Sequence, residues 1–181
     1  MTASALIVVD MLNHYEHDDA DLLISDVERI LPSLERMIRE AKTRRIETIF
    51  ANDNHGDWSA GRQELVERAL AGAAPHLIEP IIPPADVPFV AKRRHSIFHE
   101  TLLAYLLREH DVTQIILAGQ VTEQCILYSA LDAYLRHFEV VVARDCVAHI
   151  HEDLAEAALK MMERNMHARV TATPEEILQL L

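Results

Sequence analysis

Short apolar runs compatible with β-strands alternate with longer segments of helical periodicity along the chain, and this alternation restricts the fold more than any other feature. Ala5-Leu6-Ile7-Val8-Val9 is apolar without interruption, as a strand buried on both faces would be. In residues 21–45 the positions Leu23, Val27, Ile30, Leu31, Leu34, Ile38 and Ala41 recur at helical spacing, and Pro32 inside that stripe predicts a kink or break. Residues 47–51 read as a strand, 63–71 as a helix and the proline-rich stretch 80–88 as a loop. The second half repeats the pattern: strands at 89–91, 114–118, 139–143 and 168–172, helices at 101–110, 123–137 and 152–166, and a last short helix opening at Pro174 with Thr173 as its cap. Six strands separated by helices predict a mainly parallel sheet covered on both faces, a three-layer α/β/α, Rossmann-like arrangement. No linker or repeat divides residues 1–181, so a single domain is expected.

Charge narrows the class of partner. The net charge of −12 disfavours nonspecific binding to nucleic acid or to an anionic membrane, which leaves small molecules as the expected partners. No apolar run approaches the roughly 20 residues of a membrane span. Two cysteines in unlike contexts, with no leader pattern before the first strand, predict a reduced cytoplasmic protein without a structural disulfide.

In a parallel α/β sheet, ligands bind beyond the carboxyl ends of the strands. Asp10, Asp53 with His55, Lys92, Cys125 and Asp145 all fall just after predicted strands, so reactive side chains are expected at one edge. Cys125 is the most telling of them. The run 114–118 ends at Gly119, and after Gln120-Val121-Thr122-Glu123-Gln124 the chain turns helical, which puts the thiol against a helix N-terminus. Unpaired N–H groups and partial positive charge there can bind an oxyanion and lower a thiol pKa. Asp10 can take the thiol proton and pass it to a leaving amine; Lys92 can hold Asp10 and favour the thiolate. No Cys–His pairing signature competes with this. The alternatives are a buried Cys125, a loop-capping Asp10 and a solvated Lys92.

These stretches resemble the isochorismatase-like cysteine hydrolases, which include nicotinamidases, N-carbamoylsarcosine amidases and ureidoacrylate hydrolases. The likeness runs through 7–13, Ala91-Lys92 with Ser96-Ile97-Phe98, 119–125, Ser129-Ala130-Leu131-Asp132-Ala133 and 140–148. The resemblance implies an isochorismatase-like hydrolase fold and an Asp10–Lys92–Cys125 triad that cleaves a C–N bond of a small amide, ureido or carbamoyl compound through a thioester. It implies a non-proline cis peptide between Gln120 and Val121, and an oxyanion hole made by the N–H groups of Val121 and Cys125. A homo-oligomer, dimer or tetramer, is implied as well.

Some positions depart from the pattern or stay open. Nicotinamidases hold a metal beside the triad; Asp53 and His55 match the start of that motif, but His76 sits in a different context, so no metal or other cofactor is expected. Asn13, Asp53, His55 and Trp58 are candidate pocket residues. His149 and His151 are expected to include a helix cap, and Cys146 and Glu123 to be structural. Arg93, Arg94 and His95 could meet an anionic substrate, another subunit or solvent. Two other functions fit the same residues: vinyl-ether hydrolysis of the isochorismatase type, using Asp10 and Lys92 without the thiol, and ligand binding without turnover.

Overall fold

The computed structural model describes residues 3–178. Six strands form one sheet: β1 (Ala3–Val9), β2 (Glu47–Asp53), β3 (Phe89–Lys92), β4 (Val112–Gln120), β5 (Glu139–Ala148) and β6 (Arg169–Thr171). Their order is β3-β2-β1-β4-β5-β6 and every neighbouring pair is parallel, so the sheet is wholly rather than mainly parallel.

The unbroken apolar sequence of β1 follows from its central place. Leu6 and Val8 face one layer, with α1 (Ala20–Arg44), α2 (Arg62–Leu70) and α6 (Pro174–Leu178); Ala5, Ile7 and Val9 face the other, with α3 (Leu103–Glu109), α4 (Leu127–Leu135) and α5 (Glu152–Met166). Alternate residues of one strand thus feed two separate cores, and neither face tolerates a polar side chain. Among the described residues no helix is long and apolar enough to cross a membrane.

Three local expectations are corrected. Helix α1 runs unbroken through Pro32. Pro32 and Glu28 are both exposed, so the carbonyl that Pro32 cannot serve faces water. Strand β5 continues past Ala143 to Ala148: Leu117 pairs with Val142 but Gly119 pairs with Val147, two steps on β4 against five on β5. The surplus residues bulge, and Asp145 joins Arg29 and Arg144 around a different cavity from the one at Cys125. Finally, the helix expected to begin at Glu123 opens as a π-helical turn, Thr122–Ile126, in which Cys125 is the fourth residue.

Candidate active site

Each reactive residue is carried to the carboxyl edge by its strand. Strand β1 ends at Val9, and Asp10 follows in the left-handed region at φ 55°, its N–H donating to Ala51 O. Lys92 is the last residue of β3 and is 1% exposed. Gly119 has φ +112°, and a Cβ there would lie 2.1 Å from Val9 O, so only glycine lets β4 pass β1 this closely on the way to the cysteine turn. The Gln120–Val121 peptide bond is cis.

The three side chains meet. Lys92 Nζ lies 2.7 Å from Asp10 Oδ2, 3.1 Å from Arg94 O and 3.5 Å from Cys125 Sγ. Asp10 Oδ1 accepts the Asp53 N–H at 2.8 Å, and Gln120 Nε2 donates to Asp10 O at 2.6 Å. Tyr15 Oη in turn donates to Gln120 Oε1 at 3.4 Å. Asn52 is satisfied on both sides of its amide: Oδ1 accepts the Leu12 N–H, and Nδ2 donates to Leu12 O and Asp53 O. Gln120, Tyr15 and Asn52 therefore brace the Asp10 loop, a role that isolated polar residues in a sequence do not advertise.

The electrostatics differ from the expectation that the turn and Lys92 leave the thiol acidic. Burial pushes the Cys125 thiol well above its ordinary range, and the Asp10 carboxylate adds to this as a neighbouring anion and as an acceptor of the thiol hydrogen; Lys92 opposes both without prevailing. For Lys92, burial works against the charge, but the adjacent Asp10 and Cys125 hold the ammonium form above its usual range. The resting site is a neutral thiol beside a carboxylate–ammonium pair. Asp10 is thus placed to take the thiol hydrogen, a transfer that leaves the net charge of the cluster unchanged.

A cavity of about 360 Å³ opens over Sγ, lined by Asp10, Asn13, Asp53, His55, Gln120, Val121 and Cys125 together with His14, His17, His95 and Ile150. Trp58, expected as a candidate wall, does not line it. The Asp57 carboxylate folds the loop back onto Ser59 and Arg68, and Trp58 is left 73% exposed. A second concavity of about 400 Å³, around His137, His167 and Arg169 at the opposite edge of the sheet, holds no nucleophile.

Asp53 and His76 are engaged with partners inside the protein. Asp53 Oδ1 accepts the His55 N–H at 2.7 Å and faces the Arg93 guanidinium at 3.7 Å, while His76 is engaged with Glu28 at 3.2 Å. Among the described residues no three His, Cys, Asp or Glu side chains are grouped to hold a metal ion, so the donor set does not fit the metal of the nicotinamidase pattern.

The remaining candidates are placed plainly. Cys146 is fully buried in the α1-side core. His151 occupies the N-cap position of α5 without a side-chain capping bond. Glu123 Oε1 instead accepts the N–H groups of Ile150 and His151 at 3.0 and 2.8 Å, tying that loop to the nucleophile turn, and His149 Nδ1 pairs with Asp26 at 2.9 Å. Arg93 and Arg94 are exposed. His95, left open by the sequence, lies with Nδ1 3.6 Å from Cys125 Sγ.

Comparison with known proteins places this geometry. A family model described as the isochorismatase domain matches residues 4–175. The Bacillus subtilis (strain 168) isochorismatase family protein YaaI is 33% identical over 175 residues, 97% of this chain and 96% of that one. A ureidoacrylate amidohydrolase, RutB of Yersinia enterocolitica, is 27% identical over 184 residues, covering 87% of this chain and 80% of its own. Among solved structures, the nicotinamidase SaPncA from Staphylococcus aureus superposes with a TM-score of 0.74 at 26% identity, covering 95% of this chain and 99% of that one.

Proposed function

Because this chain belongs to the isochorismatase-domain family, we propose that it is a cysteine hydrolase that cleaves the C–N bond of a small amide, ureido or carbamoyl compound. The observation that carries this reading is the position of Lys92 Nζ, 2.7 Å from Asp10 and 3.5 Å from Cys125 in one cavity. Relatives named as amidohydrolases and nicotinamidases support the reaction class.

In the first half-reaction Cys125 Sγ attacks the substrate carbonyl carbon as its proton passes to Asp10. The N–H groups of Val121 and Cys125 receive the oxyanion. Collapse breaks the C–N bond, the amine leaves with the proton that Asp10 held, and a thioester remains on Cys125. Lys92, 2.7 Å away, keeps Asp10 oriented through both transfers. Water then releases the acid and restores the thiol. This route assigns no step to a metal or cofactor; among the described residues no third donor is grouped with Asp53 and His55.

The cavity suits a compact, polar substrate, since it is at the lower end of ligand-site volumes and is ringed by His14, His17, His55 and Asn13. Assembly into a homodimer or tetramer in the cytoplasm belongs to the same reading. The exposed apolar residues Tyr128, Leu131, Tyr134 and Leu135 on α4 offer a face for a second copy, which light scattering on the purified protein tests.

The deciding experiment screens small amides, carbamoyl compounds and isochorismate against wild type, Cys125→Ala and Asp10→Asn. Loss of amide hydrolysis in both variants is expected. Activity that survives Cys125→Ala but not Asp10→Asn points to vinyl-ether hydrolysis and refutes the thioester route.

A further inference from the structure

Three groups approach Cys125 Sγ, and the proposed route uses two of them. Asp10 and Lys92 lie on the protein side and are committed to each other and to the backbone: Lys92 Nζ to Asp10 and Arg94 O, and Asp10 Oδ1 to the Asp53 N–H. The third, His95, comes from the solvent side. It is exposed, it lines the cavity, and Nδ1 has Sγ as its partner at 3.6 Å.

Its position is built rather than incidental. The loop after β3 is pinned to α4 by the two residues that follow His95. Ser96 Oγ donates to Asp132, and the Ile97 N–H donates to Ser129 Oγ at 3.1 Å. Lys92 Nζ holds the same loop from below through Arg94 O. The imidazole then stacks on Tyr128, with ring centroids 5.4 Å apart and planes 24° from parallel. A ring fixed by its loop and by an aromatic neighbour, with one nitrogen facing the reactive sulfur, has the arrangement expected of an acid–base group.

We propose that His95 is a further catalytic residue, the general base that activates water against the Cys125 thioester, leaving Asp10 to serve acylation. This rests on the cysteine-hydrolase reading. Once the amine has left, water enters from the open side of the cavity, where His95 stands. With its hydrogen on Nε2, the imidazole accepts a water proton at Nδ1 as the water oxygen bonds to the thioester carbonyl carbon. The tetrahedral species collapses, the C–S bond breaks, and Sγ leaves with the electron pair. The proton on His95 returns to Sγ, which restores the neutral thiol, and the acid product departs. Water is the only co-reactant.

The test uses p-nitrophenyl acetate, whose leaving group needs no protonation, so that release of the first equivalent reads acylation and the following steady rate reads deacylation. Wild type is compared with His95→Phe, which keeps a ring against Tyr128, and His95→Gln, which keeps polarity. In both variants the burst should persist, the steady rate should fall about 100-fold, and intact-mass measurement should find acetylated Cys125 accumulating. A steady rate equal to wild type in both variants overturns the proposal, as does loss of the burst without acetyl adduct. Cys125→Ala separates this from the premise: a burst that survives in that variant refutes the thioester reading itself, whatever His95 does.

Discussion

Replacing Asp10 by Asn should yield an enzyme that hydrolyses nothing yet has a faster-reacting thiol. Asp10 raises the Cys125 pKa through its charge and by accepting the thiol hydrogen, after the larger effect of burial, while Lys92 acts in the opposite sense. Unit charges 3.5 Å apart, the Lys92–Sγ separation, interact by about 5 kcal/mol at an effective dielectric of about 20, a factor of roughly 10^3.5 in the thiol's ionisation constant. In the wild type the Asp10 anion cancels most of that benefit; an amide in its place does not. The thiolate fraction near neutrality can therefore rise by up to about 10³. Because a less basic thiolate is a weaker nucleophile, with a Brønsted slope of about 0.5, the net gain in alkylation rate is roughly 30-fold. Iodoacetamide labelling followed by intact mass measures it, and the fully buried Cys146 serves as an internal unreactive thiol. The same variant should turn over no amide, since nothing then carries the thiol proton to the departing amine. A thiol that labels no faster than wild type refutes the electrostatic account, and retained amide turnover refutes Asp10 as the proton carrier.

The Lys92–Asp10 pair should show strong coupling in stability. Lys92→Met and Asp10→Asn each strand one buried charge and should cost about 3–5 kcal/mol, whereas the double variant should lose less than their sum, as read from urea midpoints at fixed protein concentration; additive losses would contradict this. Stability should also fall on the alkaline side. Burial pushes Cys146 up to about 12, so its contribution is intact below an unfolded-thiol pKa of about 9 and is lost at about 1.4 kcal/mol per pH unit between there and about 12. Cys146→Ala should make that slope shallower by this one proton, leaving the part that the raised Cys125 thiol contributes, in unfolding curves taken across the window. Gly119→Ala should lower stability by about 3 kcal/mol or more, since its Cβ meets Val9 O and its φ is left-handed; a melting temperature within a degree or two of wild type would show that β4 can shift.

The fold was legible because both faces of the sheet are covered. That condition writes strands as continuous apolar runs, as at 5–9 and 114–118, and places a helix between each pair of successive strands. The departures share a cause, which is that tertiary context acts where periodicity is silent. Pro32 is tolerated because its face of α1 is wet, and β5 gains its bulge because β4 reaches Gln120 through Gly119. At the site, Asp10, Lys92 and Cys125 could be placed from strand ends alone. Gln120, Tyr15 and Asn52 could not, since each acts through a contact that spans dozens of residues. His95 was hidden for the same reason. Its nearness to Sγ depends on Ser96 and Ile97 meeting α4 across more than thirty residues of chain, and nothing in the order Lys92-Arg93-Arg94-His95 distinguishes an inward ring from a solvated one.

The sign of the thiol's pKa shift was the least legible property, and it bears on how the site works. Sequence reasoning counted the groups that favour a thiolate, the turn and Lys92, and left out the burial that Cys125 shares with them. A permanently ionised thiolate in this cavity would sit beside the Asp10 carboxylate with one ammonium to serve both anions. The structure instead pairs Lys92 with Asp10 and buries the sulfur, which disfavours a second anion there. On the proposed thioester route, attack then requires a carbonyl to be present when the proton moves, because carbon–sulfur bond formation removes the charge that the transfer creates on sulfur. On the proposed route, deacylation begins from a different state, in which sulfur is esterified, Asp10 has given up its proton to the amine, and water approaches from the side of His95. On the proposed route, two half-reactions with opposite proton demands are thereby served by two groups, Asp10 and His95, that both reach one sulfur atom.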